Sequence, residues 1–397
     1  MEKARVLIVG GGLVGASLAI ALAKAGISVI AVDRDPPAEA VLPPYDGRAS
    51  AIAAAGWRML HRLGIAENIQ DSQPIEQIRV SDGNSPLFLH YDHQDLGDTP
   101  LGVMVENRHT RLALAKTMTG LDNLHLIAPA SVDRIERLDS HVLAHLSTGE
   151  TVRAELCVAA DGRQSRTRAD AGIDTVGWSY GQDGIVCTIG HERPHQGIAH
   201  ERFLPSGPFA ILPLSGNRAS LVWTERSDLA PAFLELNEAD FTAEIQRRVG
   251  GFLGEIEVLG GRFRYPLNMV LATRYQDRRL ALVGDAAHGI HPIAGQGFNL
   301  GLRDVAALTE CLSQAASLGL DLGDPGALTD YERWRRPDSV LLSSTMDVLN
   351  RLFSNDIAPV AMARDLGLAA VNKLKPARKF FMRHAMGDVG NLPPLLR

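Results

Sequence analysis

The chain has 397 residues, a formal net charge of -6 and three cysteines. Its length exceeds one typical core and predicts two domains, and its mild acidity argues against a nucleic-acid partner. Cys157, Cys187 and Cys311 lie far apart, with neither a C-x-x-C pair nor metal-ligand spacing, which predicts buried thiols, a cytoplasmic setting and no metal, and excludes flavoenzymes built on paired cysteines.

The apolar run Val6 to Val9 reads as a strand, and Gly10, Gly12 and Gly15 follow in G-x-G-x-x-G spacing. A small-residue helix pattern runs from Leu13 to Lys24, Gly26 stops it, and a second apolar run, Ile27 to Val32, ends at Asp33. Strand, tight turn, helix, strand and acid make a dinucleotide-binding βαβ unit. Gly10 makes the turn, Gly12 admits a pyrophosphate, and Gly15 lets helix and strand close up. The helix N-terminus faces the phosphates, and Asp33 is placed to accept from a ribose hydroxyl. The uncharged stretch Val6 to Ala23 has membrane-spanning length, but its three consecutive glycines oppose a membrane span or signal peptide, since each costs about 1 kcal/mol inside a helix.

A proline-rich loop spans Asp35 to Gly47, and residues 48–64 read as helical. Ile75 to Ser81 is a strand, turns run through Asp98, Val103 to Val105 is a short strand, and 107–119 is a helix. Short strands follow at His125 to Ile127, Ser131 to Leu138, His141 to Leu146 and Thr151 to Ala160, and read as a meander. Between 180 and 270, strands at Phe209 to Leu214, Arg218 to Thr224 and Gly261 to Tyr265 and a helix over 238–250 indicate a mostly antiparallel unit. The α/β style returns with Leu280 to Val283 and a long helix from about Gly297 to Ser317, and 328–397 is helical. The expected fold is α/β. A discontinuous Rossmann-like nucleotide domain (1–74, 101–180, 271–330) carries an inserted antiparallel β-sheet substrate domain (75–100, 181–270) and ends in a helical region (331–397).

Two further motifs bear on the cofactor. Ala159 to Arg168 places Asp161-Gly162 after a strand, at the turn into a helix. Gly284-Asp285-Ala286-Ala287-His288, then Pro292, then Gly295 to Gly301, ends a strand in Gly-Asp and opens a helix through glycines. That helix start carries roughly half a positive charge. Aimed at the pyrimidine edge of a flavin, it would stabilise the reduced ring's anion.

These three motifs, in this order, resemble the flavoprotein aromatic hydroxylases with the p-hydroxybenzoate hydroxylase fold, nearly end to end. Several segments are similar to the ubiquinone-biosynthesis hydroxylases of polyprenyl phenols: Asp46 to Ala49, Val105 to Arg108, Leu212 to Leu214 with Leu221 to Thr224, Tyr265 to Leu267, and Arg383 to Gly387 through Leu392-Pro393. The resemblance implies FAD as cofactor. Gly10, Gly12 and Gly15 would hold its pyrophosphate. Asp33, where the family usually has Glu, would hold the ribose, and Arg34 would lie by the adenine. Arg48 and Arg108 would contact flavin and pyrophosphate. Asp161 and Gly162 would serve FAD and NAD(P)H. Asp285 would reach ribityl or phosphate groups, and Gly297, Asn299 and Leu300 would meet the ring through the backbone. Pro213 and Pro292 would flank the isoalloxazine.

The implied reaction is hydroxylation of an aromatic ring through a C4a-hydroperoxyflavin, with NAD(P)H and O2 consumed and no metal. A base for the phenol would help, but the sequence names none; His288 and His291 read as hydrogen-bonding structural residues. Phe209, Ile211, Leu221 and Trp223 alternate, so their face lines either an apolar pocket or the domain's own core; Ile211, Pro213 and Trp223 are the substrate-binding candidates. Lys373, Lys375, Arg378, Lys379 and Arg383 are interleaved with Leu374, Phe380, Phe381 and Met382. This 373–383 segment reads either as a peripheral contact with the inner membrane face or as aromatics packed on the FAD domain. A complex of ubiquinone-biosynthesis proteins is an expected partner. The alternatives are a hydroxylase of soluble aromatics and a non-catalytic prenyl-lipid-binding protein of the same fold. A dehydrogenase would leave Gly284 to Gly301 without purpose. A halogenase usually carries W-x-W-x-I-P, and no two of the tryptophans here stand two apart.

Overall fold

The computed structural model describes residues 1–397 except 37–46, 84, 86, 292, 356 and 357. Pro292, Asp46 and most of the 35–47 loop therefore lie outside the described residues.

Five parallel strands form the nucleotide-side sheet in the order Leu280–Leu282, Leu156–Ala159, Val6–Val9, Val29–Val32, Leu124–Ile127. Gln276–Asp277 adds an antiparallel edge. The two strands of the βαβ unit are buried along their length, as continuous apolar runs require when a sheet is covered on both faces. Helix α1 (Leu13–Lys24) is buried from Gly15 to Ala23. The uncharged stretch is thus a central strand and a core helix. Among the described residues no helix is long and apolar enough to cross a membrane.

Residues 48–64 depart from the expected helix. Ala49–Ala53 is a strand, and only then does α2 (Ala54–Arg62) begin. The strand pairs antiparallel with Gly102–Glu106, a distant partner that overrides the helix propensity of its alanines. Helix α3 (Asn107–Met118) follows as expected. The meander proper is Val132–Arg137, Val142–Leu146 and Thr151–Ala154, whereas 124–127 and 156–159 join the parallel sheet. Helix α4 (Arg166–Asp170) is short.

The second large sheet has eight strands, in the order 288–289, 256–272, 175–191, 218–226, 207–214, 198–204, 77–82, 88–92. Its edge strand Phe88–Asp92 lies where turns were expected. One face is covered by α5 (Ala230–Leu234) and α6 (Glu238–Val249), which bury Phe241 and Ile245 against Ile185, Phe209, Leu221 and Trp223. The other face turns toward the nucleotide side, where Ala199, Leu212 and Leu214 pack with Ala49, Ala51 and Met104. Helix α7 (Gln296–Ser317) returns to the first core, followed by α8 (Pro325–Phe353), α9 (Ala358–Lys373) and α10 (Lys375–Ala385).

Candidate active site

The predicted motifs converge at one edge of the parallel sheet. Gly10, Asp33, Asp161 and Gly284 each follow the C-terminal end of a strand, where open α/β sheets bind ligands. Gly10 has φ +104°, and a Cβ there would collide with the Ala160 carbonyl; a Cβ at Gly15 would collide with the carbonyl of Gly10. A Cβ at Gly12 would meet nothing within 4 Å, and Gly12 caps α1 without a side-chain hydrogen bond. The helix start is therefore bare and approachable, as a pyrophosphate requires. Asp33 accepts from the N–H groups of Gly11 and, at 2.8 Å, Asp35. Each oxygen keeps a second lone pair for a ribose hydroxyl. Arg34 is exposed, with Asp35 at 3.9 Å as ion-pair partner.

Pairing of Ala49–Ala53 with Gly102–Glu106 brings Arg48 beside Arg108: the Asn107 N–H donates to the Arg48 carbonyl at 2.9 Å. Arg48 lies over the Tyr265 ring, 5.3 Å from its centroid. Glu106 is buried and holds Arg108 at 2.9 Å, His109 at 3.2 Å and Arg218 at 3.3 Å. Glu106 belongs to the Val105 to Arg108 segment that carries the resemblance, but the sequence alone gives it no role.

The Asp161 carboxylate organises its own turn, accepting from Ser165 Oγ at 2.5 Å and the Thr167 N–H at 3.0 Å. The turn aims two arginines at the second motif. Arg163 donates to Asn268 Oδ1 at 2.8 Å and pairs with Asp285 at 3.3 Å. Arg168 donates to the Ala286 carbonyl at 2.9 Å. The Gly162 side of the turn is open: a Cβ there would meet nothing within 4 Å.

A buried charge network fixes the next loop to the helices. Asp304 of α7 accepts from His288 Nε2 at 2.5 Å, the Gly284 N–H at 2.9 Å and Arg335 Nε at 2.8 Å. Arg335 also holds Asp338 at 2.6 Å. Burial alone would raise the Asp304 carboxyl, but His288 and Arg335 hold it below the usual carboxylate range. His288 thus has the structural role expected of it. His291 does not: neither ring nitrogen has a hydrogen-bond partner among the described residues. It packs edge-on against Tyr180 at 5.0 Å, and burial, with Arg163 nearby, pushes its pKa down to about 4.

Helix α7 starts behind Gly295 in left-handed conformation (φ +62°) with no side-chain cap. A Cβ on Gly297 would meet nothing within 4 Å. The uncapped first turn therefore presents its N–H groups and positive dipole end to open space. Asn299 acts on the protein instead, clamping Ala51 and Ala53 of the neighbouring strand at 2.8 Å each. Leu300 is buried in the protein interior.

The three substrate candidates fall on the core face of the eight-stranded sheet. Ile211 and Trp223 are 2% and 1% exposed and lie in the core under α5 and α6, away from the nucleotide side. Pro213 pairs with Ala219 of the same core. Because a strand alternates faces, the nucleotide side is reached by the other parity. Val80, Glu201, Ala210, Val222, Val186 and Phe263 stand side by side across that face. Gly47 is held against Phe263 and Val186, so the backbone before Arg48 roofs one end of the row.

The FAD binding domain family matches residues 3–339. The chain belongs to this family. It is 54% identical over 398 aligned positions to ubiquinone hydroxylase UbiL of Rhodospirillum rubrum, covering 100% of this chain and 92% of that one. It is 34% identical over 389 positions to 3-demethoxyubiquinol 3-hydroxylase of Escherichia coli, covering 97% and 99%. Among solved structures, p-nitrophenol 4-monooxygenase PnpA of Pseudomonas putida has the same fold, with TM-score 0.82, 21% identity and coverage of 99% and 100%. The chain is an FAD-dependent monooxygenase of the p-hydroxybenzoate hydroxylase fold. The site fits FAD on its own terms: two uncapped helix starts and three unobstructed glycine positions line one sheet edge.

Proposed function

We propose that this monooxygenase hydroxylates the aromatic ring of a polyprenyl phenol in ubiquinone biosynthesis, using NAD(P)H and O2. The observation that carries the reading is the largely apolar row across the nucleotide-side face of the eight-stranded sheet, on which Phe203 clusters with Ile293, just before α7. A lipophilic ring needs a dry wall, and each methylene taken from water contributes about 0.8 kcal/mol. The 54% identity to a ubiquinone hydroxylase supports the substrate class.

Bound FAD supplies the electron transfer and oxygen activation. Gly10, Gly12, Gly15 and Asp33 would hold its adenosine diphosphate end, with Arg48, Arg108, Asp161, Gly162 and Asp285 along its length. The first turn of α7 would face the flavin's pyrimidine edge, where its dipole favours negative charge. Val186, Val222 and Phe263 would exclude water and hold the ring in register with the cofactor. The exposed apolar and basic residues of α9 and α10 support peripheral contact with an anionic membrane, where such a substrate resides.

The test is direct. The purified protein is expected to be yellow and to consume NAD(P)H and O2 faster when a 2-alkylphenol is added. A colourless protein that FAD cannot reconstitute would favour a lipid-binding role. A yellow protein indifferent to every phenol would remove the hydroxylase reading and leave the cofactor standing.

A further inference from the structure

The apolar row contains one ionisable residue. Glu201 sits between Val80 and Ala210, with Val222, Val186 and Phe263 beyond. It is half-buried, and its carboxyl has no hydrogen-bond or ion-pair partner among the described residues. A half-buried carboxyl that no protein group pairs is left for water or for a bound ligand.

Its neighbours fix where it looks. Ala199, two residues back on the same face, packs with Ala51, and Ala51 touches the Gly295 position that precedes α7. Phe203, two residues on, packs with Ile293 of the same loop. Glu201 therefore lies between one neighbour that clusters with Ile293, just before α7, and another that clusters with the 49–53 strand, whose Ala51 lies by Gly295.

We propose that Glu201 is the group that receives the phenol hydroxyl of the substrate, orienting the ring and taking its proton. This rests on the phenol-hydroxylase reading of the site. The phenol O–H bond breaks, the proton passes to a Glu201 oxygen, and the electron pair stays on the phenol oxygen. Ring carbons ortho and para to it become more electron-rich and easier to oxygenate. The reductant and oxidant are the NAD(P)H and O2 of the established monooxygenase reaction. The proton returns as product forms.

Enclosure pushes the Glu201 carboxyl up to about 7, and no charged neighbour contributes to the shift. A base working near neutral pH is thereby ready in both forms. The groups facing it do not compete. Asp82, on the adjoining strand, is held by Arg364 of α9 at 2.7 Å. Tyr91 is kept neutral by burial, as is His291 in the loop before α7. Tyr265 and Arg48 lie together at the far end of the face. His200 alternates with Glu201 and lies on the opposite face, where burial, Arg79 and Arg202 push it down to about 4.

The experiment compares equilibrium binding of 2-octylphenol and its O-methyl ether to the FAD-loaded protein from pH 5.5 to 8.5. A carboxylate accepts a charge-assisted hydrogen bond from the phenol, and the ether offers none. Preference for the phenol should rise about tenfold through pH 7 as Glu201 ionises. Glu201→Gln should flatten that rise. Glu201→Leu should abolish the preference while keeping the FAD spectrum and an unfolding temperature at least as high, because it completes an apolar row. A Gln or Leu variant that keeps the pH-dependent preference overturns the proposal, as does a wild type that binds both ligands alike. If the wild type takes up O2 in response to the phenol and either result holds, only the Glu201 assignment fails. If no phenol stimulates O2 uptake, the hydroxylase reading falls first and the assignment with it.

Discussion

At the scale of single residues the site is held by buried acids with many partners. Asp304 is the strongest case: it is wholly buried and serves His288, Gly284 and Arg335 at once. Asp304→Asn keeps the shape but leaves the Arg335 charge short of an acceptor inside the protein. Breaking a buried pair in this way costs about 3–5 kcal/mol. The variant is expected to unfold at markedly lower temperature or denaturant concentration, and to bind FAD weakly because the Gly284 loop loses its anchor. The wild-type contribution also has a pH signature. The folded carboxyl lies below its ordinary value, so its stabilisation is complete above about pH 4 and fades as pH falls through the lower folded value. A stability profile of Asp304→Asn parallel to wild type below pH 4, with equal midpoints at neutral pH, would show that the network contributes nothing.

At the scale of elements, α7 joins the two halves of the site. Asn299 ties its first turns to Ala51 and Ala53, and Asp304 ties it to the Gly284 loop. Its start points at open space rather than at a capping side chain. Gly297→Asp tests that orientation. An acid in a first helical turn ordinarily stabilises the helix by about 0.3–1 kcal/mol, so the protein should fold at least as well as wild type. Next to the flavin's pyrimidine edge the same charge should weaken FAD retention about tenfold, the equivalent of about 1.4 kcal/mol. Wild-type FAD content together with wild-type reduction by NAD(P)H would displace the flavin from this turn. The elements also divide by how legible they were. The strand–turn–helix–strand of residues 6–33 and the 284–301 turn were readable because local glycines and apolar runs define them. Ala49–Ala53 was not, because its strand state comes from pairing with residues half a hundred positions away. The parity of Phe209, Ile211 and Trp223 was undecidable for a related reason: both faces of that sheet are apolar, and only the placement of α5 and α6 tells core from cavity. Glu201, between His200 and Arg202, looks like any surface acid until the sheet register sets it among Val80, Ala210 and Val222.

At the scale of the molecule, the C-terminal helices seal one end of the apolar face and expose their own apolar side. Phe353 of α8 and Leu368 of α9 pack with Phe203 and Ile293, while Leu341, Val348, Met362 and Leu366 on the same two helices are exposed. On α10, Met382 is fully buried against Ala54 and Leu101, whereas Phe380 and Phe381 are 56% and 44% exposed. The basic cluster is narrower than its sequence suggests. Arg378 is held by Asp95 at 2.7 Å, whereas Lys373, Lys375, Lys379 and Arg383 have no side-chain partner among the described residues. On the proposed membrane contact, each of these four cations would contribute about 1 kcal/mol against an anionic bilayer at low salt. Changing all four to Gln should lower binding to phosphatidylglycerol-containing vesicles by more than tenfold, and raising the salt should lower wild-type binding in the same direction. Phe380→Ser with Phe381→Ser should weaken binding to neutral vesicles as well, since that contribution is apolar. Neither change touches the cofactor edge, so turnover on a short-tailed, water-soluble phenol should stay at wild-type level while turnover on a vesicle-embedded polyprenyl phenol falls. Unaltered vesicle binding in both variants would refute membrane docking through α9 and α10, and the tail would then have to enter from another side of the sheet.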